Sequence, residues 1–220
     1  MVARRAHNPK VAGSNPAPAT KRDKPVLRGR LCSFYRGSMA RSYESITDAM
    51  KTFIAEQPMF FVATAPSVGG RVNVSPKGYD SFRVLDEGRV CYLDLTGSGA
   101  ETIAHLRDNG RITFMFCAFE GMPNIVRLYG SGRHVQPGDP EFDDLIDGFP
   151  DRSGIRSIVV ADIDRTSTSC GYAVPFMDYV EDRERLEESL SAKADGELQD
   201  YWANKNATSI DGLPALDIIE

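Results

Sequence analysis

Val72-Asn73-Val74-Ser75-Pro76-Lys77-Gly78 and, after a hairpin, Thr96-Gly97-Ser98-Gly99-Ala100-Glu101-Thr102 are the two segments whose reading decides the fold. In the first, Val72 and Val74 alternate with Asn73 and Ser75, the period of a strand. Pro76 restricts the backbone where that strand ends and delivers Lys77 to its tip. The second is a hydroxyl- and glycine-rich turn opening a short helix. A lysine supplies charge, hydroxyls supply hydrogen bonds, and a helix start offers backbone N–H groups without intrahelical partners. Together they form a candidate phosphate cradle on a β scaffold, which implies a phosphate-bearing, nucleotide-like cofactor.

Working outward, Phe82 to Leu85 and Arg89 to Leu95 flank Asp86-Glu87-Gly88, a hairpin signal. Met59 to Ala65 is an apolar, β-rich run, and Val68-Gly69-Gly70 is a turn. Ile46, Ala49, Met50, Phe53 and Ile54 recur at helical spacing, with Ser45 or Thr47 as cap and Pro58 as stop. Thr102 to Asn109 reads as a short helix closed by Gly110. Arg111 to Phe119 and Asn124 to Val135 are strands around a Gly121-Met122-Pro123 turn. Asp139 to Phe149 reads as an acidic amphipathic helix, Arg156 to Arg165 as a β-branched strand, and Glu181 to Asn204 as one charged helix. The expected class is mainly β with added helices (α+β), an antiparallel barrel of about six short strands with helices at its periphery. The chain shows neither a βαβ alternation nor a GxGxxG motif, which argues against a dinucleotide-binding α/β domain.

The 220 residues and 41% apolar content suit one compact domain with appendages. Residues 1–38 hold nine of the 26 Lys/Arg and one of the 31 Asp/Glu, so the net charge is +8 there and −13 over the rest. That arm lacks hydrophobic periodicity, is broken by four prolines, and is expected to be disordered. Three readings compete for it: a nucleic-acid-binding arm, a transit peptide, or an extension ahead of the true start that does not belong to the protein. Ala12-Gly13-Ser14-Asn15-Pro16 resembles the translated T-arm of a transfer-RNA gene, so translation is expected to start at Met39. The domain division expected is 1–38 arm, 39–180 barrel, and 181–220 C-terminal helix and tail packed on the barrel. Four cysteines without a CxxC pair read as buried thiols of a reducing compartment. Three histidines cannot build a metal site, and the longest apolar run is too short to span a bilayer. The expectation is a cytoplasmic protein without metal, membrane or nucleic-acid partner.

The order of elements from Ile46 to Asp164 resembles the pyridoxamine 5′-phosphate oxidase-like, FMN-binding split-barrel family. Arg71 to Ser75 is similar to the family strand beside the flavin. Tyr92 to Thr102 is similar to its phosphate-binding strand and helix start, and Asn109-Gly110-Arg111-Ile112 to its Asn-Pro-Arg-Val element. The resemblance implies a split antiparallel barrel, bound FMN, hydride chemistry carried by the flavin, and a homodimer with flavin at the interface. Two departures put the namesake substrate in doubt. Gly99, Ala100 and Glu101 stand where that oxidase has basic residues, and its C-terminal Arg-Leu-Trp motif is missing. A deazaflavin-dependent reductase, or a flavin- or haem-binding carrier or sensor, are the alternative readings.

The candidate cofactor ligands are Asn73, Val74, Ser75, Lys77, Ser98, Thr102 and Arg127. Lys77 with Ser75 and the later hydroxyls is the phosphate reading; an exposed turn lysine is the bland one. Ser98-x-x-Glu101 also spells a capping box, and Glu101 would repel a phosphate unless its side chain turns outward. Asn73 and the Val74 backbone are placed for the isoalloxazine edge. Arg127 and Arg133 read equally as flavin or substrate ligands and as paired surface arginines. Tyr172 lies in an apolar, small-residue stretch that reads as packed core or pocket lining, and Trp202 as core packing. No residue reads as an obligate acid, base or nucleophile.

Overall fold

The computed structural model describes residues 40–194 and 196–218. The basic arm, the proposed Met39 start and Cys32 lie outside the described residues. The described elements are β1 (Arg41–Tyr43), α1 (Asp48–Ala55), β2 (Phe60–Thr64), β3 (Asn73–Lys77), β4 (Phe82–Val84), β5 (Arg89–Leu95) and α2 (Glu101–Asn109). They continue with β6 (Arg111–Cys117), β7 (Ile125–Val135), α3 (Pro140–Ile146), β8 (Ile155–Ser169), α4 (Arg185–Ser191) and α5 (Glu197–Lys205).

Eight described strands form one antiparallel sheet in the order β3-β2-β6-β7-β8-β5-β4, with β1 paired to β8. The sheet curls but its hydrogen-bonded path stops at β3 on one side and β4 on the other, so the barrel is split between them. The curl is driven by aromatic burial: Phe60 of β2 packs edge-on to Phe82 of β4 at 4.9 Å and to Tyr92 of β5 at 5.7 Å. Phe114 and Phe116 of β6 complete this cluster, and Met50 and Ile54 of α1 join the same core. Each such fully buried side chain contributes about 1.5–3 kcal/mol.

Local chemistry explains the boundaries. Thr47 caps α1 by accepting from Met50 N at 3.3 Å, resolving the choice between Ser45 and Thr47. Gly110 ends α2 in the left-handed region at φ 73° and returns its N–H to Leu106 O at 3.0 Å. Pro76 is tolerated within β3 because that strand ends the sheet and needs no donor on its outer edge.

The structure corrects the sequence reading in four places. The strands number eight among the described residues rather than about six, β1 being three residues that pair only with β8. The expected single helix over 181–204 is two helices, because Gly196 adopts φ 90° before α5. The Ser98–Glu101 capping box is not made: Ala100 occupies the cap position of α2 without a side-chain bond. Tyr172 is 63% exposed and so is not core.

Candidate cofactor site

β3 alternates as expected, but its polar side faces inward. Asn73, Ser75 and Lys77 stand opposite Thr64, Val62 and Phe60 of β2, all buried, whereas Val72 and Val74 are exposed. The inward side chains form a relay. Ser75 Oγ donates to Asn73 Oδ1 at 3.2 Å, and Asn73 Nδ2 donates to Thr102 Oγ1 at 3.0 Å and to Thr64 Oγ1 at 3.3 Å. Thr64 Oγ1 also meets His105 Nδ1 at 2.9 Å. Thus the strand tip and the first turn of α2, distant in sequence, share one hydrogen-bond network. His105 is fully buried within it, with Nδ1 engaged by Thr64.

Lys77 Nζ sits 3.4 Å from Asp94 Oδ1 and 5.6 Å from the Tyr92 ring centroid. Asp94, on β5, is buried and also takes Arg156 at 2.8 Å. Burial alone would raise its carboxyl, but Arg156 and Lys77 outweigh that and hold it below the usual aspartate range. One carboxylate between two cations, the buried Arg156 and the part-exposed Lys77, leaves this triad with a net charge of +1. The Tyr92 hydroxyl is buried without a well-directed partner, Thr102 lying beside it, and burial pushes its pKa well up.

The turn before α2 is anchored from behind. Trp202 Nε1 donates to Thr96 Oγ1 at 2.9 Å, Asn206 Nδ2 to Gly97 O at 3.1 Å, and Arg156 Nη1 to Gly99 O at 2.9 Å. Glu101 does turn aside: its carboxylate accepts from Ile210 N at 3.0 and 3.2 Å. Ser98 is exposed, and its side chain makes no bond with another described residue.

The structure therefore gathers Asn73, Ser75, Lys77 and Thr102, with the Ser98 turn joined to α2. Arg127 stands apart. It shares a cross-strand row with Pro76, Phe61 and Met115 on the sheet's outer face and donates to Ser169 at 3.0 Å. Arg133 is a paired surface arginine, bound to Glu141 at 2.6 Å. Asp94, Arg156 and Asn206 escaped the sequence reading. For Asp94 the signal was a charge beside the apolar run Val90 to Leu93, and for Arg156 a charge beside the apolar run Ile158 to Ala161; Asn206 carried none, and it is fully buried. Trp202 packs with Ala100, Ile103 and Leu216 as expected and bonds Thr96 besides.

A flavin phosphate fits the donors present: α2 starts without a side-chain cap, the part-exposed Lys77 completes a +1 triad with the buried Asp94–Arg156 pair, and the outer backbone edge of β3 has no strand partner among the described residues. Among the described residues there is no group of three metal-ligating side chains and no helix long and apolar enough to cross a membrane.

The chain is similar to several known proteins. The family model described as pyridoxamine 5'-phosphate oxidase matches residues 46–170. The pyridoxamine 5'-phosphate oxidase family protein ustO of Aspergillus flavus is 40% identical over 191 residues, covering 79% of this chain and 77% of that protein. Among solved structures, HupZ of Group A Streptococcus is similar at 25% identity over 55% of this chain and 91% of its own, with a TM-score of 0.46. An FMN-binding protein of Syntrophomonas wolfei is similar at 16% identity over 53% and 80%, with a TM-score of 0.39. The match to the family model over more than half of the chain, together with the ustO relationship, shows that this chain belongs to the pyridoxamine 5'-phosphate oxidase family.

Proposed function

We propose that the protein is an oxidoreductase that holds FMN without a covalent bond and acts on a small molecule other than pyridoxamine phosphate. The observation that carries this is the Asn73–Thr102 bond, which brings the free-edged strand β3 against the uncapped start of α2. In this reading Lys77 and the Ser98–Thr102 turn bind the phosphate, while Asn73, Ser75 and the Val74 backbone orient the ring. When bound, the flavin supplies hydride transfer, and the protein's work is placement and exclusion of water. Membership of the family supports the cofactor class.

We infer further that the active form is a homodimer. Val72 and Val74 are 71% and 61% exposed, on the outer sheet face that also carries Phe61, Met115 and Arg127. A second copy covering that face removes this apolar surface from water. It also gives Arg127 a route to the partner's cofactor.

Visible absorption of the purified protein before and after adding FMN tests the proposal. Flavin bands, or FMN uptake with a matched fluorescence change, support it. A colourless protein that ignores FMN but takes up a deazaflavin moves the assignment to a reductase using that cofactor. One that ignores both overturns it.

A further inference from the structure

The turn that carries the phosphate reading is built by chain from the other end of the protein. Gly97 O is held by Asn206 Nδ2 at 3.1 Å and Gly99 O by Arg156 Nη1 at 2.9 Å. The two anchors are themselves joined, Arg156 Nη1 to Asn206 Oδ1 at 2.9 Å, and both are buried. In a trans peptide the carbonyl of one residue and the N–H of the next point in opposite directions. Fixing the carbonyls of Gly97 and Gly99 toward Asn206 and Arg156 therefore aims the N–H groups of Ser98 and Ala100 the other way. Neither N–H has an acceptor among the described residues.

The same C-terminal segment handles the one charge that opposes an anion. Glu101, the first residue of α2, would repel a phosphate at the helix start. Its carboxylate is instead tethered to the backbone N–H of Ile210 at 3.0 Å. Asp211, the next residue, accepts from Arg71 N at 2.7 Å, two residues before β3. Ala215 and Leu216 pack on Ala100, Ile103 and Ala104. One loop thus grips the turn, the helix and the approach to the strand.

We propose that Asn206 and Arg156 are positioning residues for phosphate, that the N–H groups of Ser98 and Ala100 are its backbone donors, and that the Ile210 tether on Glu101 sets how strongly a phosphorylated cofactor binds. The proposal rests on the reading above that a flavin phosphate occupies this turn. It makes residues 202–216 a working part of the cofactor site, with no residue of that segment touching the flavin.

The test compares FMN with riboflavin, which lacks the phosphate, by fluorescence titration of the full chain. Asn206→Ala is expected to weaken FMN about tenfold and to move riboflavin less than about twofold. Equal losses for both flavins, or no loss for either, overturn the positioning role. Because Asn206 is buried, a second pair guards against a folding defect. Ile210 occupies the second position of a turn closed by Gly212 N to Ser209 O at 3.0 Å, a place that accepts proline. Ile210→Pro removes the N–H that tethers Glu101, so FMN is expected to weaken while riboflavin holds. Adding Glu101→Gln is expected to restore FMN binding, because the released group no longer carries charge. Absence of that rescue overturns the tether. If the wild type binds neither flavin, the amide resonances of Ser98 and Ala100 are followed while inorganic phosphate is added. Saturable shifts that Asn206→Ala abolishes leave the phosphate turn standing and sink only the flavin assignment; unmoved amides sink both.

Discussion

Asn73 Nδ2 lies 3.0 Å from Thr102 Oγ1, so a strand and a helix separated by a hairpin meet through a single side-chain hydrogen bond. The same amide reaches Thr64, and its carbonyl oxygen accepts from Ser75. Asn73→Ala removes this junction and is expected to lower stability by about 1–2 kcal/mol, the scale of lost partly buried hydrogen bonds. Urea denaturation of the two proteins measures it; an unchanged midpoint would show that the relay is incidental.

Lys77 and Arg156 share one carboxylate, each on its own oxygen, and the surplus positive charge is what a phosphate would meet. Lys77→Ala lowers the triad from +1 to neutral and is expected to weaken FMN about tenfold. Lys77→Gln, which keeps much of the stem but loses the charge, should behave like the alanine variant. Retained affinity in both would remove Lys77 from the site.

Acid stability follows from Asp94. Its carboxyl is depressed in the folded protein, so its contribution is complete above the unfolded aspartate value near about 4 and is lost as pH falls through the folded value. Asp94→Asn leaves Arg156 buried without its counter-ion and is expected to cost about 3–5 kcal/mol at neutral pH. The gap between wild type and variant, followed by denaturation against pH, should narrow below about pH 4. A gap that is constant with pH would place the cost in packing instead of charge.

Gly130 lies at the irregularity where β7 and β8 shift register, and a Cβ built there would meet Asp162 O at 1.9 Å. The obstacle is backbone in the longest strand pair, so it cannot rotate away. Gly130→Ala is expected to destabilise by about 1–3 kcal/mol or more, read as a lowered thermal midpoint. Gly97→Ala, where a Cβ meets nothing within 4 Å, is the control.

Much of the architecture was legible because its signals are local. Period-two alternation marked β3, Asp86-Glu87-Gly88 marked the β4–β5 hairpin, and Gly110 marked the end of α2. Other features had no local signal. The three residues of β1 are strand only because β8 is beside them. Ser98-x-x-Glu101 satisfies the capping pattern, yet Ile210 N takes the Glu101 carboxylate away. Trp202 read as packing and does pack, but nothing near it in sequence announced its bond to Thr96.

By itself the sequence determined most of the element types, their order along the chain, and the hydroxyl- and glycine-rich character of the Thr96 to Thr102 turn, since these depend on neighbours a few positions apart. Only the tertiary structure decided that the polar side of β3 faces inward, that Asp94 and Arg156 form a buried pair behind Lys77, and that the C-terminal loop anchors the Gly97 and Gly99 carbonyls. The physical reason is that a buried charge or a backbone carbonyl takes whichever partner the packed fold brings within about 3 Å. That choice is made between segments far apart in the chain.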